Sequence, residues 1–142
     1  MRATQGDHLA GLLEADIALD PFPFNGGTTS CEALWVGLPV ISLITDSFIG
    51  RQGLRCLWRT GIADLASDNE EHYVANAVRL AADRDRLAEL RLNLPARVSA
   101  GLFNYDQHIQ ELETAYRYMW SRHCDGLDSA RFAVGSDGHI RN

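Results

Sequence analysis

The feature that most constrains the fold of this chain is a strand, a glycine loop, a helix and a second strand in close succession. Residues 16–20 form a short apolar run that two prolines end, as is typical of a strand that leaves a sheet for a loop. The loop 21–27 contains two adjacent glycines and precedes a helical pattern at 28–36. A second run at 40–44 is rich in β-branched residues. Because strands that alternate with helices form parallel sheets, this order predicts an α/β fold.

The rest of the chain is predicted to be mostly helical. Apolar residues at helical spacing, or residues that can cap or end a helix, predict helices at 7–14, 47–59, 69–82, 83–94 and 103–122. We expect Pro95 to kink or break the fourth of these helices. Residues 123–142 lack any apolar period, so we expect a frayed tail there after a single domain at 1–122.

Composition narrows the class of protein. The 142 residues are 46% hydrophobic, which is enough to fill one core. The net charge is −6, and the basic residues are thirteen arginines with no lysine. An acidic chain without a basic cluster argues against nucleic-acid and anionic-membrane binding. The first eleven residues lack the apolar core of a signal peptide, and no apolar stretch is long enough to span a membrane, so we expect a cytoplasmic protein.

The cysteines and tryptophans are expected to be structural. Three cysteines without C-x-x-C spacing suit reduced thiols, and the adjacent His123, Cys124 and Asp125 make a poor metal site, so no metal is expected. The three tryptophans are expected to fill the core or an interface with another lobe. They are Trp35, Trp58 and Trp120. Arginines 51, 55 and 59 form a helical stripe, for which a solvated face is the favoured interpretation.

The best candidate site is the loop before the second helix. Gly26 and Gly27 let a ligand approach the backbone at the positive end of that helix, and Thr28 and Thr29 add hydroxyl donors. Such a site can hold a diphosphate without lysine or metal. In open α/β sheets, ligands also bind at the carboxyl ends of the strands, where this loop lies.

A structural alternative stays open on these residues alone. Thr29 and Glu32 have the spacing of a capping box, in which each side chain bonds the other's backbone amide. In that case Gly26 and Gly27 form an ordinary turn. The loop matches neither the dinucleotide-binding fingerprint nor the P-loop, so neither motif decides between the two interpretations.

Several runs together resemble the C-terminal catalytic region of O-GlcNAc transferase and SPINDLY-like proteins, in their bacterial form. The runs are ADIALD at 15–20, FPFNGGTT at 22–29, EALWVGLPV at 32–40, SFIGRQG at 47–53, Tyr73-Val74 with 77–81, and 116–120. The resemblance covers roughly 7–120. It implies a Rossmann-like C-terminal lobe of a GT-B glycosyltransferase, followed by C-terminal helices, in a family whose members usually also carry tetratricopeptide repeats.

The resemblance also assigns site residues. It implies that Thr28 and Thr29 contact the diphosphate of a nucleotide sugar, beside Gly26 and Gly27. Gly27 stands where animal relatives have a histidine. Glu32 falls at the acidic position that binds the ribose, with Glu in place of Asp, and His8 falls near the nucleoside.

The function that the resemblance implies is the donor-binding half of a protein O-GlcNAc transferase. Such an enzyme transfers a sugar from UDP-GlcNAc to Ser or Thr of an acceptor protein, with no metal or other cofactor. The family's first lobe, its repeats and its phosphate-neutralising lysine belong to an upstream segment, so we expect no catalytic residue here and no activity of this chain alone. Two alternatives are a GDP-fucose-using O-fucosyltransferase and a non-catalytic remnant or interaction module.

Overall fold

The computed structural model describes residues 5–135 and 137–141. The described residues divide into two compact units, one ending at Phe103 and the other beginning at Asn104. The first unit alternates helices and strands as α1 Gln5–Leu13, β1 Ala18–Leu19, α2 Thr28–Trp35, β2 Val40–Leu43, α3 Gln52–Arg59, β3 Ala66–Ser67, α4 Glu70–Ala82 and α5 Arg84–Gly101. Short 3₁₀ turns, Ile49–Arg51 and Ala63–Leu65, precede α3 and β3.

The three strands of the first unit form a parallel sheet in the order β1-β2-β3. Ala18 pairs with Val40 and Ser42 with Ala66, which places β2 in the centre, and all four of its residues are buried. Helix α2 is the crossover between β1 and β2, so the predicted order and the α/β class are confirmed. The first strand is less buried than predicted. Strand β1 has only two residues, and Leu19 is 59% exposed because β1 is an edge strand.

The core lies between the sheet and the helices that cover it. Its fully buried side chains are aliphatic, and burial of each contributes about 1.5–3 kcal/mol. The largest of them are Leu34, Leu38, Ile41, Leu57, Ile62, Leu65, Leu80, Leu90 and Leu94. The apolar spacing read from the sequence therefore marks the buried faces of α2, α3 and α5.

Helix α5 continues through Pro95 to Gly101, so the expected break does not occur. Proline removes the N–H that would bond the Arg91 carbonyl, at a cost of about 3 kcal/mol. Leu94 and Val98 stay fully buried on either side of Pro95, and their packing offsets that cost. Gly37, with φ +86°, comes so close to the Arg91 carbonyl that a Cβ there would lie 2.5 Å from the oxygen.

The second unit consists of α6 Tyr105–Cys124 and a small antiparallel hairpin of β4 Ala133–Val134 and β5 Ile140–Arg141. The structure thus differs from the frayed tail expected after residue 122. The Phe132 ring packs edge-on against Tyr118 at 4.8 Å, and Arg122 Nη2 donates to the Asp128 carbonyl at 2.6 Å, so side chains of α6 hold the segment that follows it. The division of the chain at residue 122 stays a prediction.

Three tryptophans that we expected either in the core or at an interface with another lobe lie on the surface. The side chains of Trp35, Trp58 and Trp120 are each more than half exposed, so the core interpretation is wrong for all of them, and the interface interpretation stays a prediction. The apolar stripe of α6 is exposed as well, and none of the described α6 residues is buried. In the described part of the chain, no helix combines the length and apolarity that crossing a membrane requires.

Candidate functional site

A buried carboxylate organises the loop that follows β1. Asp20 is 3% exposed. Its Oδ1 accepts from the Gly26 N–H at 2.7 Å and from the Ser30 hydroxyl at 3.2 Å, and its Oδ2 accepts from the Ser42 hydroxyl at 2.7 Å. Hydrogen bonds to a charged acceptor are the stronger kind. One side chain therefore joins the end of β1, the glycine loop, α2 and β2.

Asn25 gives the loop a second anchor. Its side chain is fully buried, and its Nδ2 donates to the carbonyls of Pro21 and Leu43, each at 3.1 Å. Its backbone N–H donates to the Ile49 carbonyl at 3.2 Å. Because Leu43 ends β2, these bonds fix the loop at the carboxyl end of the central strand.

The two loop glycines have different surroundings. A Cβ at Gly26 would overlap the Ser30 hydroxyl and lie 3.1 Å from Asp20 Oδ1, whereas a Cβ at Gly27 would meet no described atom within 4 Å. On α3, a Cβ at Gly53 would overlap Ser42 Oγ and Asp20 Oδ2. Gly26 and Gly53 thus permit the close approach to Asp20, and Gly27 leaves open space in front of α2.

Helix α2 begins at this open space with free backbone donors. Its N-cap is Gly27, and in the described part of the chain no side chain caps it. The first helical bond runs from the Cys31 N–H to the Gly27 carbonyl at 3.1 Å, so the N–H groups of Thr28, Thr29 and Ser30 lack helical acceptors. Thr28 and Thr29 are exposed beside them. The capping-box alternative for Thr29 is therefore wrong, and the positive end of the helix faces open space, as an anion site requires.

Glu32 contacts His8 instead of folding back on the helix. His8 Nε2 lies 3.2 Å from Glu32 Oε2, joining α1 to the second turn of α2. The two side chains are 43% and 20% exposed, so both reach solvent. The structure thus brings His8 to Glu32, while Gly26, Gly27, Thr28 and Thr29 lie in the preceding segment of the same loop and helix. Their roles in binding stay predictions.

Arginines 51, 55 and 59 do not form one charged face directed at this site. Arg51 Nη2 lies 3.4 Å from Asp46, and its Nε donates to the Thr45 carbonyl. Arg55 is exposed, and the Arg59 guanidinium lies 5.8 Å from the centre of the Trp58 ring. These contacts favour the solvated-face interpretation.

Sequence reasoning missed the residues that support the loop, namely Asp20, Asn25, Ser42, Gly53 and Tyr73. The Tyr73 hydroxyl donates to the Asp20 carbonyl at 3.1 Å. The signal for Asp20 was present, because an acidic residue at the carboxyl end of a strand in an α/β fold is well placed for a site. Its partners Ser42 and Tyr73 are 22 and 53 residues away, and no local pattern links them to it.

A cavity of about 360 Å³ lies elsewhere, at the amino end of β1. Its lining includes Asp16, Ile17, Arg84 and Arg91. Arg91 there is paired with Asp16 at 3.1 Å and donates to the carbonyls of Leu13 and Ala15. The cavity is thus separate from the glycine loop. Its Arg91 is already bonded to α1 and to the segment that follows α1.

In the described part of the chain, no three His, Cys, Asp or Glu side chains are grouped so that they could hold a metal ion. The donors at the start of α2 are N–H and hydroxyl groups, which suit an anion. Independence from metal stays a prediction.

Comparisons with known proteins find one family. The model of glycosyl transferase family 41 matches residues 2–112. A curated relative from Petunia hybrida, a probable UDP-N-acetylglucosamine–peptide N-acetylglucosaminyltransferase SPINDLY, is 37% identical over 121 residues, covering 84% of this chain and 13% of the relative. A relative from Caenorhabditis elegans, a UDP-N-acetylglucosamine–peptide N-acetylglucosaminyltransferase, is 32% identical and covers 88% of this chain and 11% of the relative.

A solved structure is similar in fold as well. It is a mutant O-GlcNAc transferase from Thermobaculum terrenum, 37% identical, with a TM-score of 0.78 over 87% of this chain and 24% of that one. The chain therefore spans a small part of the length of the proteins that it matches.

Proposed function

The chain belongs to glycosyl transferase family 41, and we propose that its first unit is the donor-binding half of a protein O-linked N-acetylglucosaminyltransferase. Family membership confirms the resemblance seen in the sequence, and the parallel sheet with its helices confirms the Rossmann-like lobe of a GT-B enzyme. The names of the two relatives specify UDP-N-acetylglucosamine as the donor and a peptide as the acceptor. Because the chain spans only 13% of the Petunia hybrida relative, transfer itself needs parts outside the matched segment.

The observation that carries the proposal is the uncapped start of α2. Three backbone N–H groups, at Thr28, Thr29 and Ser30, have no helical acceptor, and two exposed threonine hydroxyls stand beside them. A diphosphate offers several anionic oxygens to such donors. The open space in front of Gly27 leaves room for it.

The position of Glu32 fits the next part of a nucleotide. Glu32 lies four positions after Thr28, and at about 1.5 Å of rise per residue this is roughly one helical turn, comparable to the step from a diphosphate to its ribose. The Glu32 carboxylate can accept from ribose hydroxyls, and the exposed His8 ring beside it offers a surface for the nucleoside. We propose that the two side chains act together on the nucleoside end of the donor.

The proposed chemistry is stabilisation of the leaving group. When an acceptor hydroxyl attacks the anomeric carbon, the bond to the diphosphate breaks and negative charge grows on the diphosphate oxygens. The N–H groups and hydroxyls at the start of α2 stabilise that charge, and donors aimed at a developing charge contribute strongly to catalysis. This chain has no lysine, so any lysine that shares this task comes from another part of the enzyme.

The proposed partners are an acceptor protein, a first lobe and tetratricopeptide repeats. The loops after β1 and β2 support a covering lobe, because their large apolar side chains are exposed at the same edge of the sheet as the site. They are Phe22, Phe24, Phe48 and Ile49. Exposed apolar surface of this kind marks contacts with other protein surfaces.

Titration calorimetry with UDP, GDP and UMP, without metal and with a chelator present, tests the proposal. We expect UDP to bind more tightly than UMP, because the second phosphate reaches α2. Preference for GDP would favour a fucosyltransferase-type donor. A folded chain that binds none of the three would contradict donor binding by this unit and favour a remnant or interaction module.

A further inference from the structure

Cys31 and Cys56 form a contact between α2 and α3 that donor binding does not use. Their Sγ atoms lie 3.5 Å apart, although 25 residues separate them in the sequence. Cys31 is half-buried and Cys56 is buried in the core. Because sulfurs in a disulfide are about 2.05 Å apart, the pair needs an approach of roughly 1.5 Å to bond covalently.

The surroundings give the two thiols different roles. Cys31 and Cys56 share a hydrogen bond, and with the nearby Arg55 guanidinium this lowers the pKa of Cys31 from 9.0 to about 7, against opposing burial and the Glu32 charge. The pKa of Cys56 is raised by the same hydrogen bond and by burial of its side chain. Thiolates that are partly exposed and near positive charge are the reactive ones. Cys31 is therefore the nucleophile, and Cys56 is the resolving thiol.

We propose that Cys31 and Cys56 are a redox-responsive dithiol that hydrogen peroxide converts into an intramolecular disulfide. The Cys31 thiolate attacks one peroxide oxygen, the O–O bond breaks, and the departing hydroxide takes a proton and leaves as water. The product is a Cys31 sulfenic acid. The Cys56 sulfur then attacks the Cys31 sulfur, the S–O bond breaks, and the Cys56 proton leaves with the oxygen as a second water. Two thiols lose two electrons and two protons, and one peroxide becomes two waters.

The consequence for the donor site rests on the proposed function. Cys31 lies between Ser30, which bonds Asp20, and Glu32, which contacts His8. Drawing α2 toward α3 shifts both neighbours, and hydrogen bonds to a ligand weaken steeply when donor and acceptor move out of line. We expect the oxidised chain to bind UDP severalfold more weakly than the reduced chain.

Peptide mapping of the full chain tests the dithiol. All samples carry Cys124→Ser, so that the exposed Cys124 cannot link two chains. Trypsin, which cleaves after arginine, leaves Cys31 in peptide 3–51 and Cys56 in peptide 56–59. After brief hydrogen peroxide treatment, alkylation and digestion without reductant, we expect these two peptides to be linked, and dithiothreitol to separate them. In Cys56→Ala, dimedone should trap a sulfenic acid on Cys31, and in Cys31→Ala the Cys56 thiol should stay reduced.

The outcomes separate the dithiol from donor binding. Two free thiols after peroxide treatment of a chain whose circular dichroism shows it to be folded would overturn the dithiol, and so would linkage that forms only in urea. Equal UDP affinity of the oxidised and reduced chains would overturn the effect on the donor site. Failure of the reduced, folded chain to bind UDP or GDP would instead remove the proposed function, and the linked peptides would still decide the dithiol.

Discussion

The imidazole of His8 and the carboxylate of Glu32 contact each other at 3.2 Å across two helices, one turn beyond the uncapped start of α2. Both side chains reach solvent, so their contact contributes little to folding, since even a fully ionic pair at the surface is worth about 0–1 kcal/mol. Two polar side chains held together at a solvent-facing position are available to a ligand.

We therefore expect His8→Ala to lower the free energy of unfolding by less than about 1 kcal/mol while it weakens UDP binding severalfold. The matched control is His72→Ala, because His72, on the different helix α4, is also exposed and its ring lies 3.9 Å from the carboxylate of Asp68, which precedes that helix. Calorimetry and urea denaturation of both variants check this. Equal UDP affinity in the two variants would contradict a role for His8 in binding the donor.

Replacement of both site threonines separates binding from folding. Since no described side chain caps α2, Thr28→Val with Thr29→Val should leave the melting temperature nearly unchanged. UDP binding should weaken by about 1–3 kcal/mol, through loss of charge-assisted hydrogen bonds. A lower melting temperature with unchanged affinity would instead show that the hydroxyls stabilise the helix.

The two loop glycines should respond in opposite ways. Gly26→Ala forces a methyl group against Ser30 and Asp20, and overpacking of this kind costs about 1–3 kcal/mol. Gly27→Ala places its methyl group in open space, so its loss of stability should be the smaller of the two. Urea denaturation of the pair tests the loop geometry, and equal losses would be inconsistent with it.

Loss of the Asp20 carboxylate should lower the free energy of unfolding more than loss of one of its hydrogen-bond partners. Asp20→Ala leaves several buried donors without acceptors, at about 1–3 kcal/mol each, whereas Ser42→Ala removes a single bond. We expect Asp20→Ala to be the less stable variant by chemical denaturation. The reverse order would show that the Ser42 contact, and not the carboxylate, holds the loop.

The reactivity of Cys31 should depend on Cys56. In the Cys124→Ser background, alkylation of Cys31 by iodoacetamide should rise with pH through a midpoint near 7, because the thiolate is the reacting form. Cys56→Ala removes the hydrogen bond that lowers this pKa most, so the midpoint should move up toward 9.0. An unchanged midpoint would assign the shift to Arg55 instead, and Arg55→Gln would then have to move it.

The self-association that we expect of the isolated chain follows from its exposed apolar side chains. Phe48 and Trp58 are among the large apolar residues that face solvent in the structure. Surfaces of this kind promote association. A single monomeric species in light scattering across a wide range of concentration would contradict this prediction.

Local sequence patterns predicted the elements of the fold but not the contacts between them. The two glycines before Thr28 and the β-branched run of β2 predicted the strand, the loop and the crossover helix, because turn residues and apolar periodicity are local features of a few residues. The continuation of α5 through Pro95 depends on burial of Leu94 and Val98, which tertiary packing decides.

The same limit applies to the site. Thr29 and Glu32 have the spacing of a capping box, but α2 begins before Thr29, and the Glu32 carboxylate contacts His8, which is 24 positions away in the sequence. The exposure of Trp35 likewise could not follow from its residue type, since aromatic residues occur both in cores and at interfaces.

The buried Asp20 carboxylate has a consequence for motion. It is bonded at once to the loop, to α2 and to β2, so none of these can open alone without leaving a charged group unsatisfied. The Gly26 amide should then exchange its hydrogen only when the whole unit opens, as the most protected amides of a domain do. A loop held in this way is complete before any nucleotide arrives, so binding carries little entropic cost for ordering it.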